Sequence, residues 1–366
     1  MKIGIPKEIK AQEQRIGAAP ITVANLIQAG HEVIIESGAG VGSGYSDEAY
    51  EEFGAKIGSV EDVWDCEMII KVKEPLPEEY KYFRPGLIIY TYFHLAADRR
   101  LTEELLKSRV TSIAYETMVG PNGDLPLLFP MSEIAGRMAV QVGAHFLERP
   151  QSGKGLLLSG VTGVPRGKVT IIGAGTVGFN ATKTAVGLGA QVTVLDINAQ
   201  RLAEIDNLFS GKVQTLISNS YNIAKAVKEA DLVIGAVLIP GALAPKLVTT
   251  AMVDSMEPGS VVVDIPIDQG GIFETSVKAT TLKDPIYISH DVIHYTVANV
   301  PGAVPKTSTD ALTSATVRYA IMIANQGVED AANDRTILTG INTFNGQLTS
   351  KAVADSLNIE YTPFMS

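Results

Sequence analysis

The first third of the chain repeats one pattern: a short apolar run, then a stretch in which apolar and polar positions recur at helical spacing. The runs fall at Lys2 to Ile5, His31 to Glu36, Met68 to Val72, Gly86 to Phe93 and Thr111 to Tyr115. Strand-length runs alternating with helical ones predict a parallel sheet with helices on its faces. The segment Gly38-Ala-Gly-Val-Gly-Ser-Gly44 is followed by polar and aromatic residues instead of an apolar helix, and it reads as a flexible loop. From Pro130 the pattern lengthens into one amphipathic segment, Met131 to Leu147, with Ser132 placed to cap it. A loop rich in Gly and Ser, Gln151 to Gly167, leads to a second alternation. Strands are expected at Val169 to Ile172, Gln191 to Asp196, Asp231 to Leu238, Ser260 to Ile265, Pro285 to Ser289 and Thr296 to Val300. A last helical portion begins near Thr309 and continues to the end, with Leu312, Ala315, Val317, Tyr319 and Met322 on positions suited to packing against another surface.

At 366 residues the chain is too long for one compact core, so two domains are expected. Apolar residues make up 46% of it, enough to bury parallel strands on both faces. Against 30 Lys and Arg stand 40 Asp and Glu, and the net charge of −10 argues against nucleic acid or an anionic membrane as the main partner. Small ligands remain. Cys66 is the only cysteine, which excludes an intrachain disulfide and fits a reducing compartment. The opening residues carry charge and proline where a signal peptide would need an apolar run. The longest apolar stretch, Ile234 to Val248, is broken by Pro240, Gly241 and Pro245 and is too short to span a bilayer. A soluble, cytoplasmic protein is expected.

The most specific chemistry lies at the start of the second alternation, where a strand runs into Gly173-Ala-Gly-Thr-Val-Gly178, then a helix, then a strand ending on Asp196. That is the arrangement a dinucleotide needs. Gly173 lets the chain turn, Gly175 lets the backbone approach a pyrophosphate, Gly178 lets the helix pack close to the sheet, and the diphosphate meets the helix N-terminus. A carboxylate at Asp196 can accept hydrogen bonds from both ribose hydroxyls and would repel a 2′-phosphate, which favours NAD over NADP. In the first sheet, Arg15 follows the first strand, Lys73 follows Met68 to Val72, and His94 ends Gly86 to Phe93. An Arg and a Lys at strand ends suit a small carboxylate, and a histidine beside them can exchange a proton with a carbonyl or amino centre. Asp268, after Ser260 to Ile265, is expected near a nicotinamide ring. His31, His145, His290 and His294 lack a comparable group of charges, with His290 and His294 flanking a predicted loop, and no ligand spacing points to a metal.

These residues resemble the alanine dehydrogenase family, which is related to the nucleotide-binding subunit of the proton-translocating transhydrogenases. The resemblance runs through Gly4-Ile-Pro-Lys-Glu8, Lys71-Val-Lys-Glu-Pro75, Phe93-His-Leu-Ala-Ala97, Pro130-Met-Ser-Glu-Ile-Ala-Gly-Arg137, the glycine turn, Val263-Asp-Ile-Pro-Ile-Asp-Gln-Gly270 and Pro305-Lys-Thr-Ser-Thr309. It implies an α/β fold of two Rossmann-like domains with parallel sheets. The substrate domain would be discontinuous, residues 1–129 with 305–366, around an NAD-binding domain of residues 130–304. It further implies that Arg15 and Lys73 bind substrate and that His94 and Asp268 are the catalytic pair. Ser132, Gly173, Gly175, Thr176, Val177, Gly178, Asp196, Arg201, Ser218, Val237, Leu238, Ile265, Asp268 and Val297, Ala298, Asn299 and Val300 would line the NAD site, with Asn299 reaching towards substrate. The implied activity is NAD-dependent interconversion of L-alanine with pyruvate and ammonia, by a homo-oligomer that is a hexamer in many relatives. Two rivals are a hydride-transfer subunit of a transhydrogenase, which would need a membrane partner, and a catalytically silent NAD-binding sensor. After Arg15 the chain reads Ile-Gly-Ala-Ala-Pro20, smaller than the Val-Ala-x-x-Pro expected of the family.

Overall fold

The computed structural model describes residues 1–237 and 243–364. Among them are fifteen strands. The first six are β1 (Lys2–Ile5), β2 (Glu32–Glu36), β3 (Lys56–Gly58), β4 (Met68–Ile70), β5 (Ile88–Thr91) and β6 (Thr111–Ala114). Next come β7 (Lys168–Ile172), β8 (Gln191–Asp196), β9 (Val213–Ile217), β10 (Leu232–Gly235), β11 (Val261–Asp264), β12 (Ile286–Ser289) and β13 (Val292–Tyr295). The chain closes its strands with β14 (Ile341–Phe344) and β15 (Gln347–Leu348). Two compact units result, Met1–Met131 with Val304–Ser366, and Ser132–Ala303.

The first unit holds an eight-stranded sheet in the order β15-β14-β6-β5-β4-β1-β2-β3. Strands β1 to β6 are parallel and β14 and β15 run antiparallel at one edge. Val63, Trp64, Ile69, Ile89, Phe93, Leu101 and Leu105 fill one face. The second unit holds a seven-stranded sheet, β12-β13-β11-β10-β7-β8-β9, parallel except for β12. Val233, Val262, Ile272 and Phe273 are buried in its core. Both sheets are thus mainly parallel, each with an antiparallel edge that periodicity alone did not disclose. In each, the strand order reverses at one point, between β1 and β4 in the first and between β7 and β10 in the second. Open α/β sheets bind ligands beyond the carboxyl ends of strands at such a reversal.

Several expectations are corrected. The long helix starts at Phe129, not at Ser132, because Pro130 tolerates the first turn where its missing N–H is not needed. Ser132 therefore lies within the helix and is not its cap. No strand forms at Thr296 to Val300; the strand is β13, and Val300–Ala303 is a 3-10 turn. His294 lies within β13 and does not flank a loop; it is fully buried, bonded to Thr275 Oγ1 at 2.7 Å and to the Val292 carbonyl at 2.9 Å. The C-terminal helical run begins at Pro305 and ends at Ala331, broken at Gly327, whose φ of 78° is not helical, and the β14–β15 hairpin interrupts the helical remainder. Its turn is Asn345-Gly346, both at positive φ, the pair that a two-residue hairpin favours. The segment Gly38 to Gly44 folds as a short 3-10 turn, Val41–Ser43, whose Ser43 hydroxyl meets Thr309 Oγ1 at 2.8 Å. The small Ile16-Gly-Ala-Ala-Pro20 run also has a packing reason: a Cβ on Gly17 would stand 2.4 Å from the Ile70 carbonyl oxygen.

Candidate functional site

In the first unit, the loops leaving β1 and β4 flank the sheet reversal, and each contributes a buried or half-buried cation. Arg15 is 3% exposed. Glu13, itself buried, takes its Nε–Nη2 edge, with Nε donating to Oε1 at 2.7 Å and Nη2 to Oε2 at 2.5 Å. Nη1 points to Met131 Sδ at 3.2 Å. Burial opposes the Arg15 charge, but the hydrogen bonds and charge of Glu13 overcome it and hold the guanidinium above its ordinary range. The same pairing outweighs burial at Glu13 and lowers its carboxyl. Lys73 is half-buried; desolvation first, and the Arg15 charge second, hold its ammonium below the ordinary lysine range.

Behind Lys73 lies a buried triad that sequence reasoning missed. Lys71 is 0% exposed and its Nζ bridges Glu79 Oε1 at 2.8 Å and Glu8 Oε2 at 3.4 Å. Glu8 Oε1 also accepts from the backbone N–H groups of Val72 at 2.7 Å and Lys73 at 3.4 Å, and Glu79 Oε2 accepts from that of Leu76 at 2.7 Å. Burial raises the Glu8 carboxyl despite Lys71. The triad thus fixes the segment that carries Lys73.

His94 follows β5, exposed, with φ 54° and ψ 37°. Its ring plane lies within 12° of that of Tyr92, with centroids 6.3 Å apart. Tyr92 is buried, donates to the Leu127 carbonyl at 2.6 Å, and feels the charge of Arg15, which ties the histidine end of the site to the arginine end. The left-handed backbone of His94 costs about 1–2 kcal/mol for a residue with a Cβ. Glu116, after β6, offsets it: its carboxylate accepts from the His94 N–H at 2.6 Å and from the Phe93 N–H at 3.2 Å. Hydrogen bonds to an ionised acceptor contribute about 1.5–3 kcal/mol, enough to hold the turn.

In the second unit the glycine turn follows β7 at the reversal. A Cβ on Gly173 would stand 2.7 Å from the Ala236 carbonyl oxygen and 3.0 Å from Val237 Cγ2, and one on Gly178 would stand 1.8 Å from the Gly173 carbonyl oxygen. At Gly175 a Cβ would meet nothing within 4 Å. Two glycines therefore serve chain packing, and the third leaves room for a ligand. The helix Thr176–Gly187 begins there with no side-chain cap, so Thr176 and Val177 sit in a first turn suited to an anion. Asp196 ends β8, its Oδ2 accepting from the Ala174 N–H at 2.6 Å and its Oδ1 from the Asn198 N–H at 2.8 Å. Arg201 donates from Nε to the Ala174 carbonyl at 2.8 Å, from Nη1 to Glu204 at 2.5 Å, and lies 5.0 Å from the Phe179 ring centroid. The Ser218 N–H donates to the Asp196 carbonyl at 2.9 Å. Gly136, on whose face Ser132 lies one turn earlier, packs so closely that a Cβ would stand 2.2 Å from the Val177 carbonyl oxygen. These residues fit a dinucleotide.

Ile265 and Asp268 lie on the 3-10 turn Ile265–Gln269 after β11, with Asp268 exposed. That turn is pinned by two residues sequence reasoning missed. Buried Asp264 accepts from the N–H groups of Ile272 at 3.1 Å and Phe273 at 3.4 Å, and Lys246 Nζ donates to the carbonyls of Gly270 at 2.5 Å and Phe273 at 2.9 Å. Val297 and Val300 are buried, Ala298 is exposed, and half-buried Asn299 turns its amide over Gly302. Leu238 lies outside the described residues. Among the described residues no group of three or more His, Cys, Asp or Glu side chains could hold a metal, and no helix is long and apolar enough to cross a membrane.

Comparison with known proteins covers almost the whole chain. Sequence models described as alanine dehydrogenase/PNT, N-terminal domain and C-terminal domain match residues 4–135 and 139–351. The chain is 60% identical over 365 residues to the alanine dehydrogenase of Geobacillus stearothermophilus, covering 99% of this chain and 98% of that protein. It is 59% identical to that of Bacillus subtilis, with coverage of 99% and 96%. A solved structure described as L-alanine dehydrogenase matches with TM-score 0.96 and 50% identity over 98% of this chain and 99% of that one. A transhydrogenase structure from Sinorhizobium meliloti matches with TM-score 0.83 and 26% identity over 96% and 100%.

The buried triad generates a stability prediction. Replacing Lys71 with Met leaves Glu8 and Glu79 without their cation, which should cost about 3–5 kcal/mol near neutral pH. A carboxyl whose folded pKa is raised destabilises the fold when ionised and is relieved as pH falls through that value. The loss should therefore shrink on acidification from about pH 8 to about pH 5.5. Denaturant unfolding at both pH values measures it, and a loss under about 1 kcal/mol at the higher pH would contradict the assignment.

Proposed function

The chain belongs to the alanine dehydrogenase/PNT family, and on that premise we propose that it interconverts L-alanine with pyruvate and ammonium using NAD. The balanced reaction takes L-alanine, NAD⁺ and water to pyruvate, ammonium, NADH and a proton. The observation that carries this reading is the grouping of Arg15, Lys73 and His94 at the carboxyl end of one sheet, with Glu13 and Glu8 fixing the two cations' loops. That grouping suits a small 2-oxo or 2-amino acid. The identity of 60% to an alanine dehydrogenase, against 26% to a transhydrogenase, favours the amino-acid reaction over the rival.

When bound, the nicotinamide supplies the hydride acceptor or donor. The remaining work falls to the protein. Arg15, its guanidinium oriented by Glu13, would bind a substrate carboxylate, and Lys73 would polarise the carboxylate or the carbonyl. His94 would give or take the proton at the substrate oxygen or nitrogen, and Asp268 would assist the addition of water or ammonia. Asn299 would contribute to substrate binding. Gly173, Gly175, Thr176, Val177 and Gly178 would hold the diphosphate and Asp196 the ribose. Ser132, Arg201, Ser218, Val237, Leu238, Ile265, Asp268 and the segment 297–300 would line the rest. Arg201 is already engaged by Ala174 and Glu204, which supports NAD over NADP. The domain roles follow: substrate binding in residues 1–129 and 305–366, and NAD binding in 130–304. The family supports a cytoplasmic homo-oligomer, a hexamer.

Purified protein should form NADH from L-alanine at a rate far above that with NADPH formation from NADP, followed by absorbance. Changing Asp196 to Ala should weaken NAD binding and narrow the gap. No reduction with L-alanine would sink the function, and equal wild-type efficiency with both cofactors would sink the ribose assignment.

Lys73 carries a pH prediction. A lysine whose pKa is lowered from 10.5 is charged below its own pKa and neutral above it, so it loses its charge sooner than an ordinary lysine as pH rises. Oxamate binding to the NADH-loaded protein should weaken on alkalinisation with an inflection below that value. Lys73→Arg should remove the inflection, and Lys73→Met should cost about 1.5–3 kcal/mol of oxamate affinity with NADH binding unchanged. A pH-independent affinity in the wild type would contradict the role.

A further inference from the structure

We propose that Glu116 is a positioning residue for His94, fixing the direction of the imidazole through the backbone and not through the ring. The proposal rests on the reading of His94 as the proton-transfer group. Three facts support it. His94 is one of few residues with a Cβ that sit at positive φ, and it does so where the chain leaves β5. The Glu116 carboxylate accepts from two consecutive N–H groups, His94 at 2.6 Å and Phe93 at 3.2 Å, a grip that matches successive amides turned to one side. Glu116 is itself anchored next door: β6 pairs in register with β5, Thr91 opposite Ala114, and the turn Tyr115–Thr117 follows at once. The ring and the carboxylate therefore share a platform just beyond the paired strands, His94 three residues past Thr91 and Glu116 two past Ala114. If the grip is lost, residue 94 relaxes towards ordinary backbone angles and the ring swings away from its aim, while Arg15 and Lys73, held by Glu13 and Glu8, stay where they are.

The test is a cycle in the full-length protein with NADH, pyruvate and ammonium: wild type, Glu116→Ala, His94→Asn and the double variant. His94→Asn should lower kcat by roughly 100- to 10,000-fold. Glu116→Ala should lower kcat by about 10- to 100-fold, with the KM for pyruvate and the NADH dissociation constant within about twofold of wild type. In the His94→Asn background, Glu116→Ala should add less than about twofold. Glu116→Gln, which keeps an acceptor oxygen, should recover to within about fivefold of wild type. If Glu116→Ala does not fold, Glu116→Asp, which keeps the charge and shortens the reach, should show the same loss and the same lack of effect beside His94→Asn. Equal factors for the Glu116 change in both backgrounds, or a Glu116→Ala enzyme with wild-type kcat, would overturn the positioning role. Wild-type kcat in His94→Asn is the separate signature that the reading of His94 itself has failed, and the proposal falls with it.

Discussion

Charge cannot be buried alone, and the first unit is organised around that constraint. Lys71 is enclosed in the sheet's carboxyl end and survives there only because Glu8 and Glu79 face it. Arg15 is enclosed nearby and survives because Glu13 takes one whole edge of its guanidinium. Each of these carboxylates also binds backbone: Glu8 the amides of Val72 and Lys73, Glu79 that of Leu76, Glu13 that of Arg15. The ion pairs therefore act less as a source of stability than as a means of fixing the loops leaving β1 and β4. Lys73, the cation without such a dedicated buried partner among these pairs, is the one whose ammonium is destabilised, and it is the one best placed to gain from an incoming carboxylate.

A second use of the same device recurs at the two segments that bear the proposed proton-transfer groups. Glu116 accepts from the amides of Phe93 and His94, and Asp264 accepts from those of Ile272 and Phe273, closing the turn that presents Asp268. In each case a carboxylate holds an irregular backbone that secondary structure does not, Glu116 from beyond the end of the neighbouring strand β6 and Asp264 from the last position of β11 itself. Lys246 adds a cation on the opposite sense of the same turn, meeting carbonyls instead of amides. The side chains proposed to move protons are thus carried on irregular backbone that a neighbouring charge keeps in place.

Much of this was legible in the sequence, and the reasons differ by residue. The glycine turn and Asp196 were legible because each glycine answers a separate geometric demand within one strand-turn-helix unit, and the fold meets two of those demands through protein packing and leaves the third open. Arg15, Lys73 and His94 were legible as charges at the ends of apolar runs. Their partners were not. Glu8 and Glu116 lie far in sequence from the backbone they hold, whereas Glu13, Lys71 and Glu79 lie near theirs; but a charged residue is ordinarily exposed, so only the folded chain shows that Glu8, Glu13, Lys71 and Glu79 are enclosed. The edge strands failed for another reason. β3 and β15 are too short to show a period of two, and β9, Val-Gln-Thr-Leu-Ile, mixes polar residues into a strand. The Asn345-Gly346 turn was a readable hairpin signal, masked by the helical pattern on either side of it.

The central claim is that this chain moves hydride from the α-carbon of L-alanine to a nicotinamide while its own residues bind the carboxylate and manage the proton. Alanine deuterated at the α-carbon, incubated with the protein and NAD, tests that most directly when the reduced nucleotide is weighed by mass spectrometry. The account predicts that the NADH formed carries the deuterium. NADH formed without it would mean that the reducing equivalents come from elsewhere, and the account would be wrong.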